Sequence, residues 1–252
     1  MIDRDVLKNY LHTLLCCEDF ADYSPNGMQI EGKPQINKIC TAVTASKEVI
    51  AQAIEENADA IIVHHGYFWK GEELVITGMK YQRIRAIMNH NISLFAYHLP
   101  LDCHPEYGNN VRLGRLLNIY ECQQHNAGKI RNLLWSGVLS EAINAEQFRK
   151  QLNQKLQREP LHVTAHDKPI RRIAWCTGAA QDFIIDAAQL GADAYISGEI
   201  SERTYYQALE LGIHYFSCGH HATERYGVQA LGQHLAESFA LEHQYIETNN
   251  PV

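Results

Sequence analysis

Residues 59–66 read Asp-Ala-Ile-Ile-Val-His-His-Gly, and this stretch decides the fold. Its apolar centre is short and rich in β-branched residues, which is typical of a strand buried on both faces of a parallel sheet. The apolar run stops at two histidines and a glycine. In open α/β sheets, ligands bind beyond the carboxyl ends of the strands. The stretch therefore predicts both a buried strand and a polar binding edge.

The sequence on either side alternates between strand and helix patterns. The predicted elements are a helix over 3–16, a strand over 39–43, a helix over 47–57 that begins after Ser46, a helix over 80–90 and a strand over 92–97 that stops at His98. Short strands alternating with helices indicate βαβ units and a largely parallel, buried sheet. The first half of the chain is therefore predicted to be an α/β layer structure.

The second half repeats this scheme. Strands are predicted over 173–177, 192–197 and 213–217, with helices over 181–190 and 202–211 between them. In the strand over 192–197, Asp193 occupies the position that Asp59 has in the first half. Gly198-Glu199 lie at the same offsets from Asp193 as His64-His65 do from Asp59. The alternative is that any two βαβ units look alike, but the matched offsets favour a duplication.

A second pair of matched positions follows the last strand of each half. His98 and Asp102 are four residues apart, and so are His220 and Glu224. The fold class is therefore α/β, with duplicated three-layer units and mostly parallel sheets. We divide the chain into a first repeat half over 1–125, an intervening strand-helix-strand element over 126–169 and a second repeat half over 170–252.

The repeated histidines and carboxylates predict a metal site. Imidazole and carboxylate together suit Zn, Mn, Fe or Ni, and none of the seven cysteines forms a C-x-x-C motif. A carboxylate from each half could bridge two ions, and successive strand-end residues could each serve a different ion. The candidate ligands are His64, His65, Asp102, His220 and Glu224.

Each candidate also has a simpler interpretation. His64 and His65 could be solvated imidazoles at a polar strand end, and Glu224 could be a favourable charge in the first turn of a helix. Asp102 could bind backbone N–H groups, since Pro100 predicts a loop there. His98 corresponds to His220 in the repeat, but it could instead be an outer group or an acid-base residue. His221 and Glu199 are weaker candidates.

Composition limits the other classes of function. The formal net charge of −7 gives no support to nucleic-acid binding by charge alone, although a local basic patch remains an alternative. Residues 1–15 do not resemble a signal peptide, and no apolar run approaches the roughly 20 residues of a membrane span. We therefore expect a cytoplasmic protein with no membrane partner.

The motifs in combination resemble the NIF-three-like family, also labelled GTP cyclohydrolase I type 2 homologue, in its short bacterial YbgI-type branch. The matching motifs are Ser24-Pro25-Asn26-Gly27, Val63-His64-His65-Gly66-Tyr67-Phe68-Trp69, Tyr97-His98-Leu99-Pro100-Leu101-Asp102, Gly108-Asn109-Asn110 and Gly219-His220-His221-Ala222-Thr223-Glu224-Arg225. The resemblance implies a duplicated α/β fold, a homohexameric ring and a dinuclear metal centre facing its interior. It carries the ligand roles over to His64, His65, Asp102, His220 and Glu224.

Two functions remain open from the sequence. The first is a metal-dependent hydrolase with two divalent ions per chain, acting on a nucleotide or related small molecule as a GTP cyclohydrolase type 2-like enzyme. In that case water between Asp102 and Glu224 is the expected nucleophile, and His98 is a candidate proton shuttle. The alternative is a non-enzymatic hexameric ring that binds protein or nucleic acid, for example in a DNA-damage response, with structural or sensing metals.

Overall fold

The computed structural model describes all 252 residues and divides them into two compact units. The first unit contains Met1–Tyr107 and Gly227–Asn249, and the second contains Gly108–Tyr226 and Asn250–Val252. The repeat halves over 1–125 and 170–252, with 126–169 between them, are defined by sequence pattern and stay a prediction. None of the helices combines the length and the apolar character needed to cross a membrane.

The first unit is built on a five-stranded sheet. Its elements are β1 (Ile2–Asp3), α1 (Arg4–Leu14), β2 (Gly27–Ile30), β3 (Gln35–Ile36), β4 (Lys38–Thr44), α2 (Lys47–Glu55), β5 (Ala60–His65), α3 (Gly78–Asn89), β6 (Ser93–Ala96) and α4 (Leu99–Cys103). The strand order is β13-β4-β5-β6-β2, where β13 spans Glu242–Tyr245. Only β2 runs antiparallel to its neighbour, so the predicted parallel sheet is confirmed here.

The second unit is built on a six-stranded sheet. Its elements are α5 (Asn109–Leu116), β7 (Tyr120–Ala127), β8 (Ile130–Ile143), α6 (Ala145–Leu156), β9 (Leu161–Val163), β10 (Ile170–Trp175), α7 (Ile184–Gln189), β11 (Ala194–Ser197), α8 (Glu202–Leu211) and β12 (His214–Ser217). The order is β7-β8-β10-β11-β12-β9. Helix α9 (His220–Phe239) begins in residues of this unit and ends in residues of the first.

The second sheet is mixed rather than mostly parallel. Its centre, β10-β11-β12, is parallel as predicted, but β8 and β9 pair antiparallel with their neighbours. On its other side, β8 pairs with β7 in an antiparallel hairpin closed at Gly128, whose φ of +56° lies in the left-handed region. Hairpin strands are antiparallel by construction, whereas parallel strands need a long crossover.

Matched contacts of two aspartates support the duplication. Asp59 Oδ2 accepts from the backbone N–H groups of Asn37 and Lys38, at the start of β4. Asp193 Oδ2 accepts in the same way from Arg171 and Arg172 in β10. In each unit the aspartate links the amino-terminal ends of two neighbouring parallel strands. The two matched positions therefore have the same structural role.

The stretch over 98–102 differs from its prediction as a loop. Residues Leu99–Cys103 form the short helix α4, with Pro100 in its first turn. A proline is tolerated there because the first N–H groups of a helix have no partner within the helix. In this helix Asp102 lies one turn beyond His98, and its side chain is buried.

A buried histidine in the second unit is held in its neutral form. The ring of His214 is fully buried at the start of β12. Its Nδ1 lies 3.1 Å from His162 Nε2, and its ring centroid lies 4.1 Å from that of His166. Burial lowers the pKa of His214 to about 4, the two neighbouring imidazoles add to this effect, and Asp193 opposes it. Protonation of His214 therefore favours the unfolded chain.

We expect stability to fall with acidification through His214. The folded-state pKa of about 4 lies below the ordinary value of 6.5, so the unfolded chain binds the proton first. The effect is small above pH 6.5 and grows as the pH falls towards 4, reaching about 3 kcal/mol. Wild type and His214→Gln are compared by denaturant unfolding at several pH values. The stability advantage of the wild type should shrink in acid, and a constant difference would contradict the assignment.

Candidate metal centre

The first unit contains a cluster of three imidazoles and a carboxylate. This first cluster consists of His64, His65, His98 and Asp102. His64 and His65 are the last residues of β5, His98 directly precedes α4, and Asp102 lies within α4. All four lie at or just beyond the carboxyl ends of β5 and β6, which is where an open α/β sheet presents its ligand-binding groups.

The imidazoles of the first cluster converge. The ring centroid of His64 lies 4.6 Å from that of His65 and 5.0 Å from that of His98. Each of the three rings offers one nitrogen, and these nitrogens lie within 4.8 Å of one another. His64 Nε2 also lies 3.5 Å from Asp102 Oδ1, and both side chains are buried. Convergent nitrogen and oxygen donors of this kind suit a divalent transition metal.

Each imidazole of the first cluster is held at Nδ1 by an oxygen atom. The pairs are His64 with the carbonyl oxygen of Tyr97 at 2.9 Å, His65 with Thr44 Oγ1 at 3.1 Å, and His98 with Asp22 Oδ1 at 2.8 Å. A carbonyl oxygen only accepts, so Nδ1 of His64 carries the hydrogen and its lone pair is on Nε2. Metal-binding histidines characteristically have such an outer partner, which fixes the ring and its tautomer.

The second unit contains a smaller cluster around one imidazole. This second cluster consists of His220, Glu224 and Glu199. Helix α9 begins at His220 itself, so Glu224 lies one turn further along rather than in the first turn as predicted. The two side chains lie on the same side of the helix, because His220 Nε2 lies 3.1 Å from Glu224 Oε2. Nδ1 of the same ring lies 2.6 Å from Glu199 Oε1.

The second cluster favours a positive charge on His220. Burial favours the neutral ring, but the carboxylates of Glu224 and Glu199 outweigh it and raise the pKa of His220 to about 9. Glu224 is itself only 2% exposed, so its charge needs a nearby cation. In the metal-free chain that cation is the protonated imidazole, and a divalent ion can meet the same requirement.

The backbone beside the second cluster leaves room for these donors. Gly178 has a φ of +69°, and a Cβ atom added there would lie 2.1 Å from Glu224 Oε1 and 3.2 Å from His220 Nε2. Gly178 also donates its N–H to Thr223 Oγ1 at 3.1 Å, which ties the loop to the start of α9. A glycine at this position therefore keeps space open around the carboxylate and the ring.

The residues predicted from the sequence fall into these two clusters. His64, His65, His98 and Asp102 come together in the first unit, and His220 comes together with Glu224 in the second. Glu199, a weaker candidate ligand, lies on the Nδ1 side of His220 as its outer partner. His221 is outside the second cluster, and its backbone N–H donates to the carbonyl oxygen of Val252 at 3.0 Å.

Sequence reasoning missed two outer partners, Asp22 and Thr44. Thr44 ends β4 and pairs in register with His65, so only the alignment of the strands brings it to that ring. Asp22 is separated from His98 by 76 residues, and only the fold joins them. The signal that could have indicated Asp22 is its place just before the turn motif Ser24-Pro25-Asn26-Gly27.

Comparison with known sequences gives one family over almost the whole chain. The sequence profile of Duf34/NIF3 (NGG1p interacting factor 3) matches residues 2–251. A protein of Allochromatium vinosum named GTP cyclohydrolase 1 type 2 homolog is 48% identical over 249 residues, covering 99% of this chain and 97% of that protein. A protein of Pseudomonas aeruginosa with the same name is 50% identical over 231 residues, covering 92% and 91%.

Solved structures show the same fold. The structure described as protein ybgI, unknown function, is 42% identical with a TM-score of 0.94, and the match covers 100% of both chains. TTHA1606 from Thermus thermophilus is 30% identical with a TM-score of 0.87, again over 100% of both chains. The resemblance inferred from the motifs and the predicted fold class are thereby confirmed.

Proposed function

The chain belongs to the Duf34/NIF3 family, and on that premise we propose that it binds two divalent metal ions and hydrolyses a nucleotide or related small molecule. The observation that carries the proposal is the set of four imidazoles, each held at Nδ1 by an oxygen atom. Metal-binding histidines almost always have such an outer partner, which fixes the ring and its tautomer.

The proposed metal-binding residues are those implied by the family resemblance. They are His64, His65, Asp102, His220 and Glu224. Imidazole and carboxylate donors without a thiolate suit Zn, Fe, Mn or Ni. When bound, two divalent ions lower the pKa of water and polarise the group under attack. The residues themselves supply fixed geometry and burial, since His64, Asp102 and Glu224 are all less than 6% exposed.

The substrate class follows from the relatives. Two of them carry the name GTP cyclohydrolase 1 type 2 homolog, so a purine nucleotide is the first substrate to test. Opening of the guanine imidazole ring releases formate, which can be followed directly. We expect metal-loaded protein to release formate from GTP, chelator-treated protein to release none, and Asp102→Asn to abolish release.

A broader experiment tests the hydrolase proposal when GTP is not the substrate. Metal-loaded protein is incubated with a metabolite mixture, and depletion is followed by mass spectrometry against chelator-treated and Asp102→Asn protein. Depletion of a phosphorylated or heterocyclic compound only with the loaded wild type supports a hydrolase. Metal-dependent binding of a compound without turnover would reject it and favour the non-enzymatic alternative. Release that survives Asp102→Asn identifies a contaminant.

Removal of the outer partner of His220 should weaken metal binding without abolishing it. Glu199→Gln keeps the size of the side chain but removes its charge, and Glu199 Oε1 lies 2.6 Å from His220 Nδ1. Loss of such an outer partner costs roughly 10–100-fold in metal affinity. The dissociation constant is measured by competition with a chelator. Glu202→Gln, an exposed carboxylate in α8, is the matched control and should bind as the wild type does.

The homohexamer implied by the resemblance is part of the same proposal. Leu74, Val75 and Ile76 are three consecutive apolar residues with exposed fractions of 94%, 60% and 49%. Apolar groups exposed together on a single chain are typical of surfaces that another protein covers. Native mass spectrometry at low protein concentration is expected to give six copies, and a monomer at all concentrations would reject the ring.

A further inference from the structure

We infer that the indole of Trp69 is the platform on which the heteroaromatic ring of the substrate stacks. This role deepens the proposed function and rests on it, because a nucleotide carries such a ring. Trp69 is then a substrate-binding residue that contacts the base, separate from the side chains that hold metal. The contacts of the loop that follows β5 in the first unit carry this role.

Trp69 lies at the edge of the first cluster. Its ring centroid lies 5.0 Å from that of His98, with the planes at 83°, and 5.9 Å from that of His65, with the planes at 56°. The residue is half-buried, so part of the indole reaches solvent. A molecule held at the imidazoles of the first cluster is therefore within reach of this aromatic ring.

The hydrogen bonds of Trp69 leave its aromatic faces unused. Nε1–H donates to the carbonyl oxygen of Gly66 at 3.2 Å, and the backbone N–H of Trp69 donates to Glu72 Oε2 at 3.0 Å. An indole N–H lies in the plane of its ring, so this bond anchors an edge of the indole. A purine or pyrimidine can stack on the indole without breaking either hydrogen bond.

The residues on both sides of Trp69 are fixed by the rest of the first unit. The side chain of Gln29 accepts the N–H of Tyr67 at 2.7 Å through Oε1 and donates to the carbonyl oxygen of Tyr67 at 3.1 Å through Nε2. The N–H of Lys70 donates to the carbonyl oxygen of Tyr23 at 2.6 Å. The indole is thus positioned before any ligand binds, which is what a binding site needs from its supporting residues.

Phe68, directly before the indole, carries backbone strain. Its φ of +65° lies in the left-handed region, and it is the only aromatic residue of the chain there. The side chain is 37% exposed, so burial of the phenyl ring does not explain the strain. Strained residues of this kind concentrate at active sites and ligand clamps. The turn at Phe68 returns the next residue, Trp69, to the ring of His65.

Stacking on Trp69 predicts affinity for bases without a choice among them. Every purine and pyrimidine has an aromatic face, so a tryptophan platform accepts all of them. We expect Trp69 to contribute equally to the binding of GTP and ATP. It should contribute nothing to the binding of inorganic triphosphate, which has no ring.

The test compares ligands with and without a ring. Dissociation constants for GTP, ATP and inorganic triphosphate are measured by calorimetry on zinc-loaded protein, with the metal content of every sample determined. We expect Trp69→Leu to weaken both nucleotides by about 5–150-fold and to leave inorganic triphosphate unchanged. Trp69→Phe keeps a ring and should recover most of the affinity. Tyr81→Leu, which removes an exposed ring of α3, is the control and should bind as the wild type does.

Tryptophan fluorescence gives a second readout of the same contact. The chain has three tryptophans, and Trp135 and Trp175 are only 5% and 0% exposed. A ligand that stacks on an accessible indole therefore quenches Trp69 selectively. We expect GTP to quench the wild type and inorganic triphosphate to leave its emission unchanged. Trp69→Phe should bind GTP without any quenching.

Four results would contradict the role of Trp69. Equal nucleotide affinity in the wild type and Trp69→Leu overturns it, and so does a metal-loaded wild type that binds neither nucleotide. An equal loss of affinity for nucleotides and inorganic triphosphate in Trp69→Leu identifies a structural role and overturns it as well. These three results leave the proposed function standing. A wild type that retains no zinc rejects the proposed function, and the role of Trp69 with it.

Discussion

Asp102→Asn is expected to remove most of the divalent metal from the protein. The substitution keeps the shape of the side chain but removes the negative charge that lies 3.5 Å from His64 Nε2. Asp102 is 5% exposed, so solvent cannot replace that charge. Loss of an outer partner already costs roughly 10–100-fold in affinity, and we expect loss of a direct carboxylate ligand to exceed that range. Metal content after gel filtration is measured by elemental analysis.

The control for Asp102→Asn is Asp19→Asn. Asp19 is an exposed carboxylate of the first unit outside the first cluster, so its loss changes the net charge equally without touching the site. Asp19→Asn should retain the wild-type metal content. Metal retained at the wild-type level in Asp102→Asn would remove this carboxylate from the proposed ligand set.

Gly178→Ala should both destabilise the second unit and impair its cluster. The backbone there has a φ of +69°, and a left-handed conformation costs an L-residue about 1–2 kcal/mol. The added methyl group would also lie 2.1 Å from Glu224 Oε1, so the buried carboxylate would have to shift. We expect a loss of free energy of unfolding greater than the backbone cost alone, together with weaker metal binding.

Gly212→Ala separates the two effects of Gly178→Ala. Gly212 ends α8 with a φ of +65°, but an added Cβ atom meets nothing within 4 Å. This variant should lose only about 1–2 kcal/mol and keep its metal affinity. Denaturant unfolding and chelator competition are compared for both variants. Equal stability losses and equal metal affinities would show that the close approach to Glu224 has no consequence.

Local patterns were sufficient to predict the central parallel strands of the two sheets, but not the outer strands β2, β7 and β13. The apolar run before His64 and the alternation around it identified β4, β5 and β6, and the matching run identified β11. The start of α2 was also predictable from the sequence, because Ser46 accepts from the N–H of Val49 as an N-cap. These features depend on residues within a few positions of one another, which is why the sequence reveals them.

Features that depend on contacts between residues far apart in the sequence could not be predicted from it. The direction of β8 and β9 is set by pairing across the sheet, so their antiparallel placement was missed. Pro100 predicts a loop, because the sequence alone does not show that this proline falls in the first turn of a helix. Asp22 reaches His98 across 76 residues of sequence. The ligand types were thus predictable, whereas the partners that orient them required the fold.

The metal content of the wild-type protein tests the central claim most directly. Protein is stripped with a chelator, equilibrated with excess Zn²⁺ or Mn²⁺, freed of unbound metal by gel filtration and analysed for metal per chain. The two clusters of imidazoles and carboxylates are expected to retain about two ions per chain, as in dinuclear hydrolytic centres. Retention of no ion with either metal would contradict the proposed metal centre, and with it the proposed hydrolase.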